Sequence, residues 1–463
     1  MNSQNRKIEL LGSTPIPKAL LAMGIPTMIG MLINALYNLV DAYFVGGLGE
    51  SQMGAISVVY PLGQVVVGLG LLFGTGAASY ISRLLGQRDK EQANTVASTA
   101  LYSSLAVGAV IILLSVIFLN PILRLLGATE SILPYASTYA GIYIISCIFN
   151  VFNVTMNNIV TSEGAAKTTM CALLFGAVLN IGLDPLFIDT LNLGVAGAAI
   201  ATAISQLVST VVYLVYIFQK KSTFRFTIKD CAFSKDVLSE IFKIGIPTLL
   251  FQLLTSLSIS MINNAAGNYG DAVIAGMGVV TRLVSMGSLT VFGFIKGFQP
   301  IAGYSYGAGK IDRLRNTIKT SVLWSTIFCV IAGLAFSLFS TDIVSQFTAG
   351  NTEMIRTGAN SLRINGITFM LFGYYTVYSS LFLALGKGKE GFLLGACRQG
   401  ICFIPVILIL PAVWGLNGIL YAQPIADVLS AFITVFMAIP LHKNLYDAEV
   451  KMKETASPIH CVK

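Results

Sequence analysis

The 463-residue chain is too apolar for a soluble protein, because 55% of its residues are hydrophobic and only 11% are charged. Soluble domains carry about 25% charged residues, and the mean hydropathy of +0.77 agrees with a membrane protein. The net charge of +8 requires no nucleic-acid partner, since basic residues collect in the inner loops of membrane proteins. The main partner we expect is the lipid bilayer.

Twelve apolar runs are long enough to cross a membrane, for which a helix needs about 20 residues. They lie at 18–43, 53–82, 93–119, 132–160, 166–188, 194–219, 237–266, 273–304, 317–340, 354–385, 390–412 and 415–441. If the N-terminus is cytoplasmic, most of the 29 lysines and arginines, Arg398 among them, fall on the cytoplasmic side. We therefore predict a multi-pass protein of the cell membrane with both termini in the cytoplasm. No cleavable signal peptide is evident, because the first apolar run is too long.

The sequence repeats itself with a shift of about 221 residues. "GIPT" at Gly24–Thr27 returns at Gly245–Thr248, and "LGVAGA" at 193–198 resembles "WGLNGI" at 414–419. Each half holds six helices, so both halves insert in the same direction and an axis along the membrane normal would relate them. The sequence thus predicts an all-α polytopic membrane protein, with twelve transmembrane helices in two six-helix bundles related by pseudo-two-fold symmetry. The predicted parts are an N-terminal lobe (1–218), a cytoplasmic linker (219–236), a C-terminal lobe (237–442) and a cytoplasmic tail (443–463).

A polar stripe runs along the first apolar segment, in "NALYNLVDAYFVGG". Asn34, Tyr37, Asn38 and Asp41 have the i, i+3, i+4, i+7 spacing that places side chains on one helix face. A carboxylate is costly in hydrocarbon, so this face should line a bundle interior or a wet cavity.

Other helices of the first half supply polar partners. They are Asn180 and Asp184 on the fifth segment, Asn150, Asn153 and Asn157 on the fourth, and Thr202 and Gln206 on the sixth. Carboxylate, amide and hydroxyl oxygens together suit a small hard cation. They also suit a proton, since a buried carboxylate beside a like charge binds a proton more readily.

The second half serves as an internal control for these carboxylates. Asp41 corresponds to Ile262, and Asp184 falls near Pro405 or Val406, so the second half lacks the acidic pair. This asymmetry favours an ion site in the first half alone. The alternative is a hydrogen-bonded network whose role is only structural.

The second half has an aromatic and methionine patch, which could bind a substrate or merely pack. It comprises Phe292, Phe298, Met370, Phe372, Tyr374, Tyr375 and Tyr378. Charges also fall within or near these spans, at Arg282, Lys296, Arg398 and Asp427, although Arg398 could instead anchor a cytoplasmic helix end. The seven cysteines are scattered and the two histidines, His442 and His460, are unpaired in sequence, so we expect no disulfide framework and no zinc site.

Four stretches give the chain a resemblance to a known family. They are "GIPTMIGMLINALYNLVDAYFVGGLG", "LFGTGAASYISRLLGQRDKEQAN", "EGAAKTTMCALLFGAVLNIGLDPLFI" and "LGVAGAAIATAISQ". The whole chain resembles multidrug and toxic compound extrusion (MATE) transporters, and specifically the prokaryotic branch with a coupling site in the N-terminal lobe. The resemblance implies two six-helix bundles in a V shape, and export of small organic cations or amphipathic drugs in exchange for Na⁺ or H⁺, with no other cofactor.

By the same resemblance, Asp41, Asn180, Asp184 and Thr202 would form the ion site. Asn34, Tyr37, Asn38, Asn153 and Asn157 would line the drug cavity, and Pro26 would mark a bend in the first helix. We expect a monomer that is not an enzyme. The rival interpretations are a flippase of lipid-linked precursors from the same superfamily and a membrane receptor or scaffold that transports nothing.

Overall fold

The computed structural model describes residues 3–46, 48–267, 269, 271–346 and 352–456. Within those residues the chain forms α-helices with short π and 3₁₀ turns and no strand. The helices are α1 (Ser3–Gly12), α2 (Ile16–Gly46), α3 (Glu50–Gln87), α4 (Lys90–Ile117), α5 (Leu119–Leu125), α6 (Leu133–Ser162), α7 (Ala166–Pro185), α8 (Gly194–Phe218), α9 (Lys235–Gly267), α10 (Asp271–Gly307), α11 (Ile311–Leu338), α12 (Ser340–Ser345), α13 (Thr352–Phe369), α14 (Phe372–Ala384), α15 (Gly388–Ala396), α16 (Phe403–Trp414) and α17 (Leu416–Ala456).

Eleven of the described helical spans are long and apolar enough to cross a membrane, and a bent pair supplies the twelfth. The pair is α13 and α14, which meet at an angle of 53°. This agrees with the twelve predicted spans, except that the tenth is broken instead of continuous. Large apolar side chains point outward around the bundle, for example Leu113, Val413 and Phe436, as expected of a surface that faces lipid.

The repeat seen in the sequence is visible in the backbone. α3 is followed by left-handed Arg88 (φ 66°) and α10 by Gly309, also at φ 66°. Gly164 after α6 and Gly386 after α14 also have positive φ. So do Gly194 and Gly415, each at the beginning of the last span of its half. Corresponding turns therefore lie 221 or 222 residues apart, which confirms two structurally repeated bundles.

The two bundles meet backbone to backbone at one end, where α3 ends and α9 begins; we call it the linker end. A Cβ added to Gly86 on α3 would lie 2.2 Å from the carbonyl oxygen of Tyr304, and one added to Gly307 would lie 2.0 Å from that of Arg83. Gly76 on α3 likewise faces the carbonyl oxygen of Ile241 at 2.2 Å. Such close helix crossings need small residues.

Side-chain bonds between the lobes surround these crossings. Arg83 Nη2 lies 2.8 Å from Glu240 Oε2, and Ser79 Oγ donates to the carbonyl oxygen of Leu383 at 2.5 Å. Both bonds join the N-terminal lobe to the C-terminal lobe. The linker end of the molecule is thus closed.

Helix α1, which the sequence analysis did not predict, joins both lobes at the linker end. Its Lys7 pairs with the buried carboxylate of Glu163 at 3.4 Å, while Arg313 of α11 donates to the carbonyl oxygens of Leu11 and Thr14 at 3.1 and 2.7 Å. Burial lowers the pKa of Lys7, and the charge of Glu163 opposes that effect. Glu163 also accepts hydrogen bonds from the Tyr216 hydroxyl and the backbone N–H of Thr223.

Gly307→Ala should destabilise the closed linker end. Its new Cβ would overlap a backbone carbonyl that cannot rotate away, and overpacking of this kind costs about 1–3 kcal/mol. The measurement is thermal unfolding of the purified protein in detergent. Gly278→Ala on the same helix is the matched control, because a Cβ there has open space and should be neutral or stabilising. Equal unfolding temperatures for the two variants would contradict the prediction.

Candidate ion and substrate site in the N-terminal lobe

A cavity of about 570 Å³ lies in the N-terminal lobe, and the predicted polar stripe lines it. Of the residues predicted for the ion and drug sites, the structure places these in its wall: Asn34, Tyr37, Asn38, Asp41, Asn153, Asn157, Asn180 and Thr202. Asp184 is fully buried, and the Asn180 amide donates to its Oδ1 at 3.3 Å. The structure therefore brings the predicted residues together around one space.

Helix packing explains this convergence. α2 packs against α7, and α6 and α7 both pack against α8. Asp41 lies near the far end of α2, and Asn180 and Asp184 lie one turn apart near the end of α7, so the three polar groups reach the same depth.

The two carboxylates carry oxygen atoms that lack hydrogen-bond partners. Among the described residues, Asp41 Oδ1, Asp184 Oδ2 and Asn180 Oδ1 are buried without a partner. Asp41 and Asp184 lie on two helices that pack against each other, α2 and α7. A buried acceptor without a donor costs roughly 1–3 kcal/mol. These oxygens are of the type that binds a hard cation, and a proton on either carboxylate would supply the missing donor.

Asn153 and Asn157 hold α6 against α8 as well as lining the cavity. The Asn153 amide donates to Gln206 Oε1 at 2.8 Å, and its Oδ1 accepts from the hydroxyl of Thr210. The Asn157 amide donates to the hydroxyl of Tyr213 at 3.1 Å. The amide groups of both asparagines therefore form hydrogen bonds in this structure, whereas one oxygen of each carboxylate in the acidic pair has no partner.

The sequence analysis missed two tyrosines of the cavity wall. Tyr139 and Tyr143 stack on each other with ring centroids 5.5 Å apart and both line the cavity. They continue the face of α6 that carries Asn150, Asn153 and Asn157. From Tyr139 onward, the five residues are spaced by four, seven, three and four positions. That periodicity was the signal available in the sequence.

A larger cavity of about 1200 Å³ lies between the lobes. It extends from Tyr60 and Asn263, far from the linker end, down to Thr75 and Thr248, where a hydrogen bond of 3.1 Å joins the lobes. Phe292 and Tyr375 of the aromatic patch line this cavity, whereas Phe298 and Phe372 are buried in the core. The patch is therefore divided between a cavity wall and plain packing.

Of the two positions expected for Arg398, the one at a cytoplasmic helix end with the side chain reaching water is wrong. Its side chain is 7% exposed and bonds Asp427 Oδ1 at 2.7 Å. Gln423 donates to the same oxygen at 2.9 Å, and the guanidinium lies over the ring of Phe372. A charge count along the chain placed Arg398 with the loop lysines, but Asp427 neutralises it inside the lobe.

The comparisons with known proteins cover nearly the whole chain. A family model described as MatE matches residues 26–186 and 247–409. The chain is 32% identical over 439 residues to the multidrug export protein MepA of Staphylococcus aureus, covering 93% of this chain and 95% of that protein.

The chain belongs to the MATE family of transporters. The family predicted from the sequence motifs is thereby confirmed, and relatives named as export proteins and transporters agree with the expectation that the chain is not an enzyme.

Solved MATE structures share the fold. One is an outward-facing conformation of a multidrug resistance MATE family transporter of the MOP superfamily, with a TM-score of 0.89 and 27% identity over 95% of this chain and 98% of that chain. Another is a MATE structure in the bent conformation, with a TM-score of 0.88 and 27% identity over 96% and 99% of the two chains. The MATE fold of this chain is therefore an all-α arrangement of two bundles, as predicted.

Asp41→Asn should raise the thermal unfolding temperature in sodium-free buffer near pH 8. The change removes a buried negative charge whose oxygen has no partner and with it the repulsion from the like charge of Asp184, an effect of roughly 1 kcal/mol. Glu163→Gln is the matched contrast, because Glu163 is a buried acid of the same lobe that is fully bonded. It should lower stability by about 3 kcal/mol, since it breaks a buried ion pair. A loss of stability in Asp41→Asn would favour the purely structural network.

Proposed function

We propose that the protein is a multidrug efflux antiporter that exports organic cations and other amphipathic drugs in exchange for Na⁺ or H⁺. The observation that carries the proposal is a pair of carboxylates with unbonded oxygens, of which Asp41 lines a drug-sized cavity and Asp184 is buried beside the lining residue Asn180. The name of the MepA relative supports multidrug export. The coupling ion would be held by Asp41, Asn180, Asp184 and Thr202.

The proposed cycle depends on competition for negative charge. When the cavity is open away from the linker end, Na⁺ or H⁺ neutralises Asp41 and Asp184, and a bound organic cation loses its counter-charge. After the lobes reorient, the ion leaves and the recharged carboxylates attract a new cationic drug. An ion drives such a cycle only if its affinity differs between the two states.

Helix α2 is the proposed moving element. It runs without a break from Ile16 to Gly46 and contains Pro26, which has no N–H to donate to the preceding turn. The Thr27 hydroxyl donates to the carbonyl oxygens of Met23 and Gly24, both at 2.9 Å, and back-bonding of this kind often accompanies a bend. A missing backbone bond makes a helix easier to bend there. Similar MATE structures exist in a straight and in a bent conformation, which supports a bending step in the cycle.

The linker end and both termini would lie in the cytoplasm, which the lysine and arginine bias supports. The protein would act as a monomer in the cell membrane, with its drug path between the lobes.

Gradient-driven ethidium efflux from proteoliposomes tests the proposal. A Na⁺ gradient and a pH gradient are imposed separately, and the gradient that drives efflux names the ion. Asp41→Asn and Asp184→Asn should each lower coupled efflux at least tenfold. Asp189→Asn is the matched control, because Asp189 is an exposed carboxylate five residues beyond Asp184 and should retain transport.

Undiminished coupled efflux in both site variants would overturn the ion assignment. Absence of ethidium efflux in the wild type, together with translocation of a lipid-linked precursor, would favour the flippase. Absence of any translocation would favour a receptor or scaffold.

A further inference from the structure

The charges around the central cavities are separated between the lobes. The described wall of the large cavity contains two charged side chains, Lys296 and Arg398, and no aspartate or glutamate. The wall of the N-terminal cavity contains Asp41 from the N-terminal lobe, and Lys296 from the C-terminal lobe also reaches it. A substrate that enters between the lobes therefore meets negative charge on one side and positive charge on the other.

Lys296 differs from Arg398 in having no counter-charge. Arg398 is neutralised by Asp427 at 2.7 Å. Among the described residues, no carboxylate lies within ion-pair distance of Lys296, and Lys296 donates a hydrogen bond to a neutral group, Asn157 Oδ1. An ammonium has three donors, so this bond leaves two of them for another partner. A partly buried lysine without a paired anion is rare.

The position of Lys296 suits contact with a ligand. Lys296 lines the large cavity, the N-terminal cavity and a small cavity of about 80 Å³ near the linker end. Neutral donors stand around it, since Asn158, Thr248 and Gln299 line both the large and the small cavity. Phe251, Leu289 and Phe292 give the wall of the large cavity apolar surface.

We propose that Lys296 is an anion-recognising subsite, which binds the carboxylate of an amphipathic substrate whose apolar body lies in the large cavity. The proposal rests on the proposed transport function, which makes the large cavity a substrate cavity, but the proposal itself concerns binding alone. It names the residue by which the large cavity would distinguish amphipathic substrates with a free carboxylate from those without one. In a zwitterion, the cationic part would face Asp41 while the carboxylate meets Lys296.

Rhodamine B and its ethyl ester form a matched pair of probes, because they share one cationic xanthene and differ in a free carboxylate. Binding is measured by fluorescence polarisation with the purified full chain in neutral detergent. Lys296→Met should weaken rhodamine B binding about 10- to 100-fold, the range for losing one charge-assisted bond. Binding of the ester should stay equal or improve, and Lys296→Arg should keep the wild-type preference.

Lys167→Met is the control for a general loss of positive charge, since Lys167 is exposed at the start of α7. Lys296→Gln retains a donor for Asn157 and covers the case in which the Met variant does not fold. Equal weakening of both probes, or an unchanged preference in the Met and Gln variants, would overturn the proposal. Displacement of rhodamine B by octanoate would support it, whereas displacement by phosphatidylglycerol alone would assign the subsite to a lipid head group and overturn it.

This outcome is independent of the efflux assay, because binding needs no gradient. If coupled efflux is absent but rhodamine B binding still depends on Lys296, the anion subsite stands and the antiport proposal falls. If efflux is present and the two probes are not distinguished, the antiport proposal stands and the subsite falls.

Discussion

In a bilayer, backbone polar groups find no partners in the surrounding lipid, and this constraint governs the whole molecule. It forces the spans into helices, which bond their own backbones, and it turns polar side chains away from the hydrocarbon. The stripe on α2 therefore has to face α7, and the polar face of α6 has to face α8. The cavity of the N-terminal lobe is the space in which these polar faces meet.

Close contact at one end and open space at the other follow from where the glycines lie. Gly76 and Gly86 on α3 allow backbone contact with the C-terminal lobe at the linker end. Helix α1 strengthens that closure, since Lys7 bonds one lobe and Arg313 of the other bonds the end of the helix. The cavities are thus bounded at the linker end, which is the geometry an alternating-access transporter needs in one of its states.

The two halves have the same backbone turns but different buried charged side chains. Corresponding turns keep the same left-handed geometry, while Asp41 faces Asn180 and Asp184 in one lobe and Ile262 takes its place in the other. The C-terminal lobe instead buries a neutral pair, Arg398 and Asp427. The attraction between the two charges offsets part of the cost of removing them from water, whereas the acidic pair has no such compensation. Asp41, Asp184 and Lys296 have no partner of opposite charge among the described residues, and they are the residues that we propose bind ligands.

The sequence by itself determined the class, the repeat and the polar faces, because a span of about 20 apolar residues and the helical spacing of Asn34 to Asp41 are local properties. It also determined the family, through motifs spread along the chain. Tertiary structure alone decided the role of α1, the burial of Arg398 against Asp427 and the lone position of Lys296. Each of these depends on a partner more than 20 residues away, such as Glu163 for Lys7 or Asn157 for Lys296. Whether a charged side chain forms a salt bridge or stays available to a ligand depends on the residues that pack next to it in the fold. Spacing along one helix does not identify those residues.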